Sequence, residues 1–204
     1  MDSTITAADR VADGTMENLA WAFHGELFRP GDAGYDEARQ LYNGMIDKRP
    51  ALIARCAGAA DVAAAVNFGR EQGLLIAVRG GGHNGAGLGS VDGGLMIDLS
   101  AMRAVTVDPA RREVRVQGGC VWNDVDKATS PHGLAVPTGF LSSTGVGGLT
   151  LGGGLGYLTR RYGLTIDNLL AVDMVLADGR QVTASAQQHR DLFWAVRGGG
   201  GNFG

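Results

Sequence analysis

The chain has 204 residues, 34 of them glycine, and a formal charge of -3. That length supports one sizeable domain or two small lobes with a packed core, and the glycine share is more than twice the usual ~7%. Mild acidity without a basic block argues against nucleic acid or an anionic membrane as partner, and no apolar run approaches the ~20 residues that span a bilayer.

The start, MDSTITAADR, is polar and acidic and lacks the order of a secretory signal. Residues 1–46 read as an extension, with a weak helix over 16–23, a turn at Arg29-Pro-Gly-Asp32 and a short helix over 35–43. After Pro50 the pattern sharpens. Residues 51–56 read as a strand, 61–70 as a helix capped by Asp61 and ended by Gln72-Gly73, and 74–78 as the next strand. Strand, helix and strand at this length form a βαβ crossover with parallel strands. Residues 95–99 supply a third strand. Residues 104–107 and 113–117 alternate apolar and polar side chains around an Asp108-Pro-Ala-Arg turn, which predicts an antiparallel pair. A helix follows over 121–130, ended by Pro131 and Gly133, then a short strand over 134–136. Residues 157–162 read as a short helix closed by Gly163. The hairpin signal is strongest over 169–177 and 181–184, joined through Asp178-Gly179. A helical turn over 191–196 precedes the tail from Gly198 to Gly204. Such a connector-like ending reads as the front portion of a longer protein, the alternative being a short protein with a frayed tail.

Two glycine clusters carry the chemistry. The first, RGGGHNGAGLG from Arg79 to Gly89, places one imidazole, His83, in a loop of nearly bare backbone. Such a loop lets N–H groups approach an anionic ligand closely. The second, from Gly145 to Gly156, follows hydroxyls at Ser142, Ser143 and Thr144. Two large cradles predict a bulky cofactor. Gly80-x-Gly82-x-x-Gly85 satisfies the dinucleotide fingerprint literally, but that motif needs a helix directly after the loop. Gly87, Gly89, Gly93 and Gly94 make a helix there costly, at ~1 kcal/mol each. No Gly-Lys-Ser/Thr follows a glycine run, so a phosphate P-loop is excluded as well. A pyrophosphate held by loop amides remains.

Other titratable groups suggest less. Cys56 and Cys120 are too few and too scattered for a disulfide framework or a thiolate metal site, and a reducing cytoplasm is the default reading. Asp98 has no second carboxylate near it in sequence. Asp167 and Asn168 read as ligand-facing groups or as a capping pair, and Arg160-Arg161 as an anion contact or a solvated helix face. His132 suits a helix C-terminus, and His24 and His189 point to nothing specific. Trp122 and Trp194 read as core or lobe-interface packing.

Arg55, Val78-Arg-Gly-Gly-Gly-His83, Met96-Ile-Asp-Leu99, Val116-Gln-Gly-Gly119, the second cradle, Gly163-Leu-Thr-Ile-Asp-Asn168 and the run from Asp191 to Gly204 occur in one order. Together they resemble the FAD-binding (PCMH-type) domain of vanillyl-alcohol-oxidase-type flavoproteins. The resemblance is nearest to the berberine-bridge-enzyme-like and 6-hydroxynicotine-oxidase-like FAD-linked oxidases, and it covers residues 35–204. It implies an α+β, two-lobed FAD-binding domain over 47–204. A small βαβ-containing lobe would span about 47–101 and a larger mixed or antiparallel lobe about 102–204, with the substrate domain absent. It implies FAD in the cleft, bonded covalently through the 8α-methyl to His83; a neutral imidazole is a competent nucleophile. A second tether, a cysteine in many relatives, would fall on Leu141, so linkage through His83 alone is expected. The expected cofactor contacts are Arg79, Gly80, Gly81, Gly82, His83, Asn84, Gly85, Ser142, Thr144, Gly145, Gly147, Gly148, Gly152, Gly154 and Asn168, with no metal. The implied reaction takes hydride from a C–H bond of a small organic substrate onto the flavin, with oxygen or another electron carrier as acceptor. No catalytic base is assigned, since relatives supply it from a later domain. Two other functions remain open: a non-catalytic FAD-binding module and a small NAD(P)-dependent dehydrogenase.

Overall fold

The computed structural model describes residues 23–204, together with Val11, Met16 and residues 19–21. Of the helix expected over 16–23, Met16 and residues 19–21 are helical, and the rest, Phe23 apart, lies outside the described residues. The first lobe is a four-stranded sheet in the order β1-β2-β4-β3, built from β1 (Glu26–Phe28), β2 (Leu52–Arg55), β3 (Ile76–Arg79) and β4 (Leu95–Asp98). Strands β2, β4 and β3 are parallel, and β1 joins β2 antiparallel. The βαβ crossover is present, but β4 lies between its two strands.

Period-two alternation gives this sheet two buried faces. Leu52, Ala54, Leu95 and Ile97 pack on Ala65 and Phe68 of α2 (Ala59–Glu71). Ile53 and Met96 face the opposite way, onto Tyr35 and Ala38 of α1 (Tyr35–Ala38). Gly69 lets α2 sit close, because a Cβ there would lie 2.7 Å from Ile76 Cδ1. The N-terminal extension is therefore not separate: β1 and α1 complete the sheet and its second face. Three short residues at 26–28 give no periodicity to read, and the sheet edge alone makes them a strand.

Helix α2 begins two residues earlier than expected, with Gly58 as N-cap. Asp61 sits inside the first turn, where it accepts from Ala57 N at 2.8 Å and His24 N at 2.9 Å, with His24 Nδ1 at 3.3 Å. Burial alone would raise its pKa, but these partners outweigh burial and hold it below the ordinary 3.8. A carboxylate depressed in the folded state stabilises fully above its unfolded value, and that stabilisation fades as pH falls through the folded value. Urea unfolding should therefore show a smaller loss of stability from about pH 5 to about pH 3 in Asp61→Asn than in the parent chain. Equal losses would remove Asp61 from the acid transition.

The second lobe holds two antiparallel hairpins, β5 (Val105–Asp108) with β6 (Glu113–Val116) and β7 (Ala171–Val175) with β8 (Gln181–Ser185). Gly179, at φ 82°, closes the β7–β8 turn, with Gly179 N donating to Leu176 O. Helix α3 (Trp122–Thr129) buries Trp122 and Val125. The expected strand at 134–136 does not form. Pro137 keeps the residue before it extended, but residues 134–136 join no sheet ladder. Nor is the second cradle all loop, since residues Val146–Leu151 form helix α4 with Gly145 as N-cap. Short helix α5 (Thr159–Tyr162) and the final helix α6 (Arg190–Gly199), broken at Arg197 and Gly198, complete the lobe. Trp194 on α6 is 74% exposed, against the expectation of packing. No described helix is long and apolar enough to cross a membrane, and no described cluster of His, Cys, Asp or Glu suits a metal.

Candidate FAD-binding cleft

Three parallel strands end at one level, where register pairs Asp98 on β4 with Arg55 on β2 and Arg79 on β3. Asp98 is fully buried. Its carboxylate accepts from Arg55 Nε at 3.1 Å, Arg79 Nε at 3.0 Å and Nη2 at 2.6 Å, and Ser100 N and Oγ at 2.9 Å each. Arg79 Nη1 donates to Ala38 O and Gln40 O. The Arg79 guanidinium thus anchors the base of the loop.

From that anchor the first glycine loop crosses to the second cradle. A Cβ on Gly81 would lie 2.3 Å from Gly145 N, and one on Gly145 2.3 Å from Gly81 N. Both glycines are required because the two loops meet backbone to backbone. The second loop is held in turn by the start of α3, where Trp122 N donates to Thr144 O and Asn123 N to Ser142 O. Val121 bridges to Gly145. An open cleft of about 210 Å³ lies beside this junction, lined by Gln40, Arg79, Gly80, Gly81, Gly82, Ser100, Arg103, Gly119 and Val121.

His83 is half-buried and follows Gly82 of the cleft wall, and its ring lies flat on Tyr42. Asn84 Oδ1 is spent locally, accepting from Ala86 N and Leu88 N. Residues 86–94 are turns rather than a helix, which removes the dinucleotide fingerprint as a reading. Gly85 and Gly148 face open space, and Gly147 comes near Gly118 O. Three of the expected contacts have roles in the fold. Gly152 caps α4, Gly154 has no room for a Cβ against Thr165, and Asn168 Nδ2 donates to Tyr162 O and Leu164 O. Sequence reading missed Tyr42 and the linking role of Asp98. The available signal was an ionic residue closing each of three apolar strands.

A cleft bordered by Gly80, Gly81, Gly82 and Gly119, with no lysine-bearing phosphate loop among the described residues, fits a nucleotide-binding domain. Its family follows from comparison: the FAD binding domain family matches residues 50–185, and the chain belongs to it. It is 42% identical over 183 residues to (R)-6-hydroxynicotine oxidase of Paenarthrobacter nicotinovorans, covering 90% of this chain and 40% of that protein. The structure of Physcomitrella patens BBE-like 1 variant D396N superposes with a TM-score of 0.88 at 32% identity, over 93% of this chain and 42% of that one. The glucooligosaccharide oxidase of Acremonium strictum, described as carrying a 6-S-cysteinyl, 8α-N1-histidyl FAD, superposes at 0.85 with 36% identity, over 92% of this chain and 40% of that one. The fold is thus the two-lobed α+β FAD-binding domain of PCMH type. The chain spans about 40% of the length of these relatives.

Proposed function

We propose that this chain is the cofactor-holding part of an FAD-linked oxidoreductase whose flavin is bonded to His83. It would act on a C–H bond of a small organic substrate, with oxygen or another carrier taking the electrons. The observation that carries the reading is His83 next in sequence to Gly82 of the cleft wall, with neither ring nitrogen hydrogen-bonded among the described residues. Bound FAD supplies the hydride acceptor. This chain's residues would hold and orient it: Gly80, Gly81, Gly82 and Gly119 would present backbone to the diphosphate, with Thr144, Gly145 and Gly147 toward the ring. The cofactor would lie between a small lobe of residues 47–101, completed by β1 and α1, and a larger lobe of 102–204.

A single tether fits the thiols as well. Cys56 and Cys120 are fully buried, and burial pushes the Cys56 thiol up to about 12. Neither thiol can reach a cofactor, and Leu141 occupies the other candidate position. Two unpaired thiols also suit a reducing cytoplasm. Acid precipitation of the purified protein should leave the flavin in the pellet, and His83→Ala should release all of it. Complete release from the parent protein would sink the tether while leaving FAD binding intact. Because the chain spans only about 40% of its relatives, a second reading has it hold FAD without turnover by itself. Flavin absorbance that no substrate bleaches would favour that reading.

A further inference from the structure

Residues 40–48 form a strap across the histidine loop. Arg79 Nη1 holds Gln40 O, Tyr42 N donates to Gly82 O at 3.2 Å, and Asn43 Nδ2 donates to Gly85 O at 3.3 Å. Lys48 Nζ donates to Gly87 O and Ser90 O at the far end. Ile46 packs so closely on Gly87 that a Cβ there would lie 2.7 Å from its Cγ2. On this strap Tyr42 stacks its ring on His83, centroids 3.9 Å apart and planes 16° apart, although Tyr42 is itself 64% exposed. An exposed aromatic ring contributes little to a core, so its placement on the imidazole of the glycine loop calls for another role.

The geometry points to Tyr42 as the positioning residue for flavin attachment at His83, a proposal that rests on the tether proposed above. Stacking fixes the plane of the imidazole from one face and leaves both in-plane nitrogens free, whereas a hydrogen bond would occupy one of them. Attachment forms a C–N bond between an imidazole nitrogen and the 8α-carbon of the ring. One C–H bond at that carbon and the imidazole N–H are broken, and their two protons leave to solvent. The two electrons released pass to dioxygen, which with two protons becomes hydrogen peroxide. The nitrogen lone pair must point along the forming bond, so a ring free to rotate would lose rate by orientation alone.

The test uses the full-length protein, purified free of flavin from a riboflavin-starved host and mixed with saturating FAD in air. Covalent flavin is followed by fluorescence of acid-precipitated samples, and noncovalent affinity is measured separately by flavin fluorescence quenching. Tyr42→Phe, which keeps the stack, should attach flavin at the parent rate. Tyr42→Ala and Tyr42→Leu should be slower by about tenfold or more with FAD affinity unchanged. Parent-rate attachment in either variant would overturn the proposal, as would affinity that loosens in step with rate, which would make Tyr42 a binding residue. Covalent flavin persisting in His83→Ala would instead overturn the tether and leave the role of Tyr42 without its object.

Discussion

Asp98→Ala should cost the fold about 3–5 kcal/mol, the usual loss when one partner of a buried ion pair is removed. The carboxylate is fully buried between two guanidiniums, and its loss leaves Arg79 without a carboxylate partner and Arg55 with Glu26 alone, their side chains 11% and 25% exposed. Domains are stable by about 5–15 kcal/mol, so this change removes a large part of the margin. The melting temperature should fall by about 6–20 °C for a chain of this size. Asp98→Asn keeps the shape and one acceptor and should fall between. A melting point within about 2 °C of the parent in Asp98→Ala would show that the two arginines find other partners. Arg79 ties this ion cluster to the site, because the guanidinium that binds Asp98 also holds Ala38 and Gln40 at the start of the strap.

Gly145→Ala should weaken FAD binding by at least about tenfold, while the sheet core keeps its melting point near the parent value. The added Cβ would sit 2.3 Å from Gly81 N and 2.6 Å from Gly81 Cα, and both are backbone atoms that no rotamer change can move aside. One loop must shift, and the cleft beside the junction shifts with it. The packed faces of the sheet, around Leu52, Ile53, Leu95 and Met96, lie in the other lobe and are not engaged. Gly44→Ala, whose Cβ would meet nothing within 4 Å, serves as the control. Parent-like FAD affinity in Gly145→Ala, measured by fluorescence quenching, would separate the junction from cofactor binding.

Much of the fold was legible because its signals are short-range. The apolar strands at 52–55 and 95–98, the helix over 59–71 and the Asp178-Gly179 hairpin each announce themselves within a dozen residues. The glycine loop was legible too, including the absence of a helix after Gly85. Gly81 and Gly145 were marked as site residues, but for approach to a ligand; the structure adds that the two loops need each other bare. Gly152, Gly154, Asn168 and the Arg79 side chain have fold contacts that their motifs did not announce, for one reason. A residue in a motif can face the ligand or hold the motif's shape, and the sequence spacing is the same in both cases. Strand β1 escaped notice because three residues at a sheet edge carry no period of their own.

By itself the sequence determined the two glycine clusters, the histidine within the first and the strands that lead to it, since backbone freedom and side-chain period are properties of neighbouring residues. Only the tertiary structure decided that Asp98 sits level with Arg55 and Arg79, that Gly81 touches Gly145, and that Tyr42 lies on His83. Those contacts join residues 19 to 64 positions apart, where strand register and loop packing set the distance and no local pattern records it.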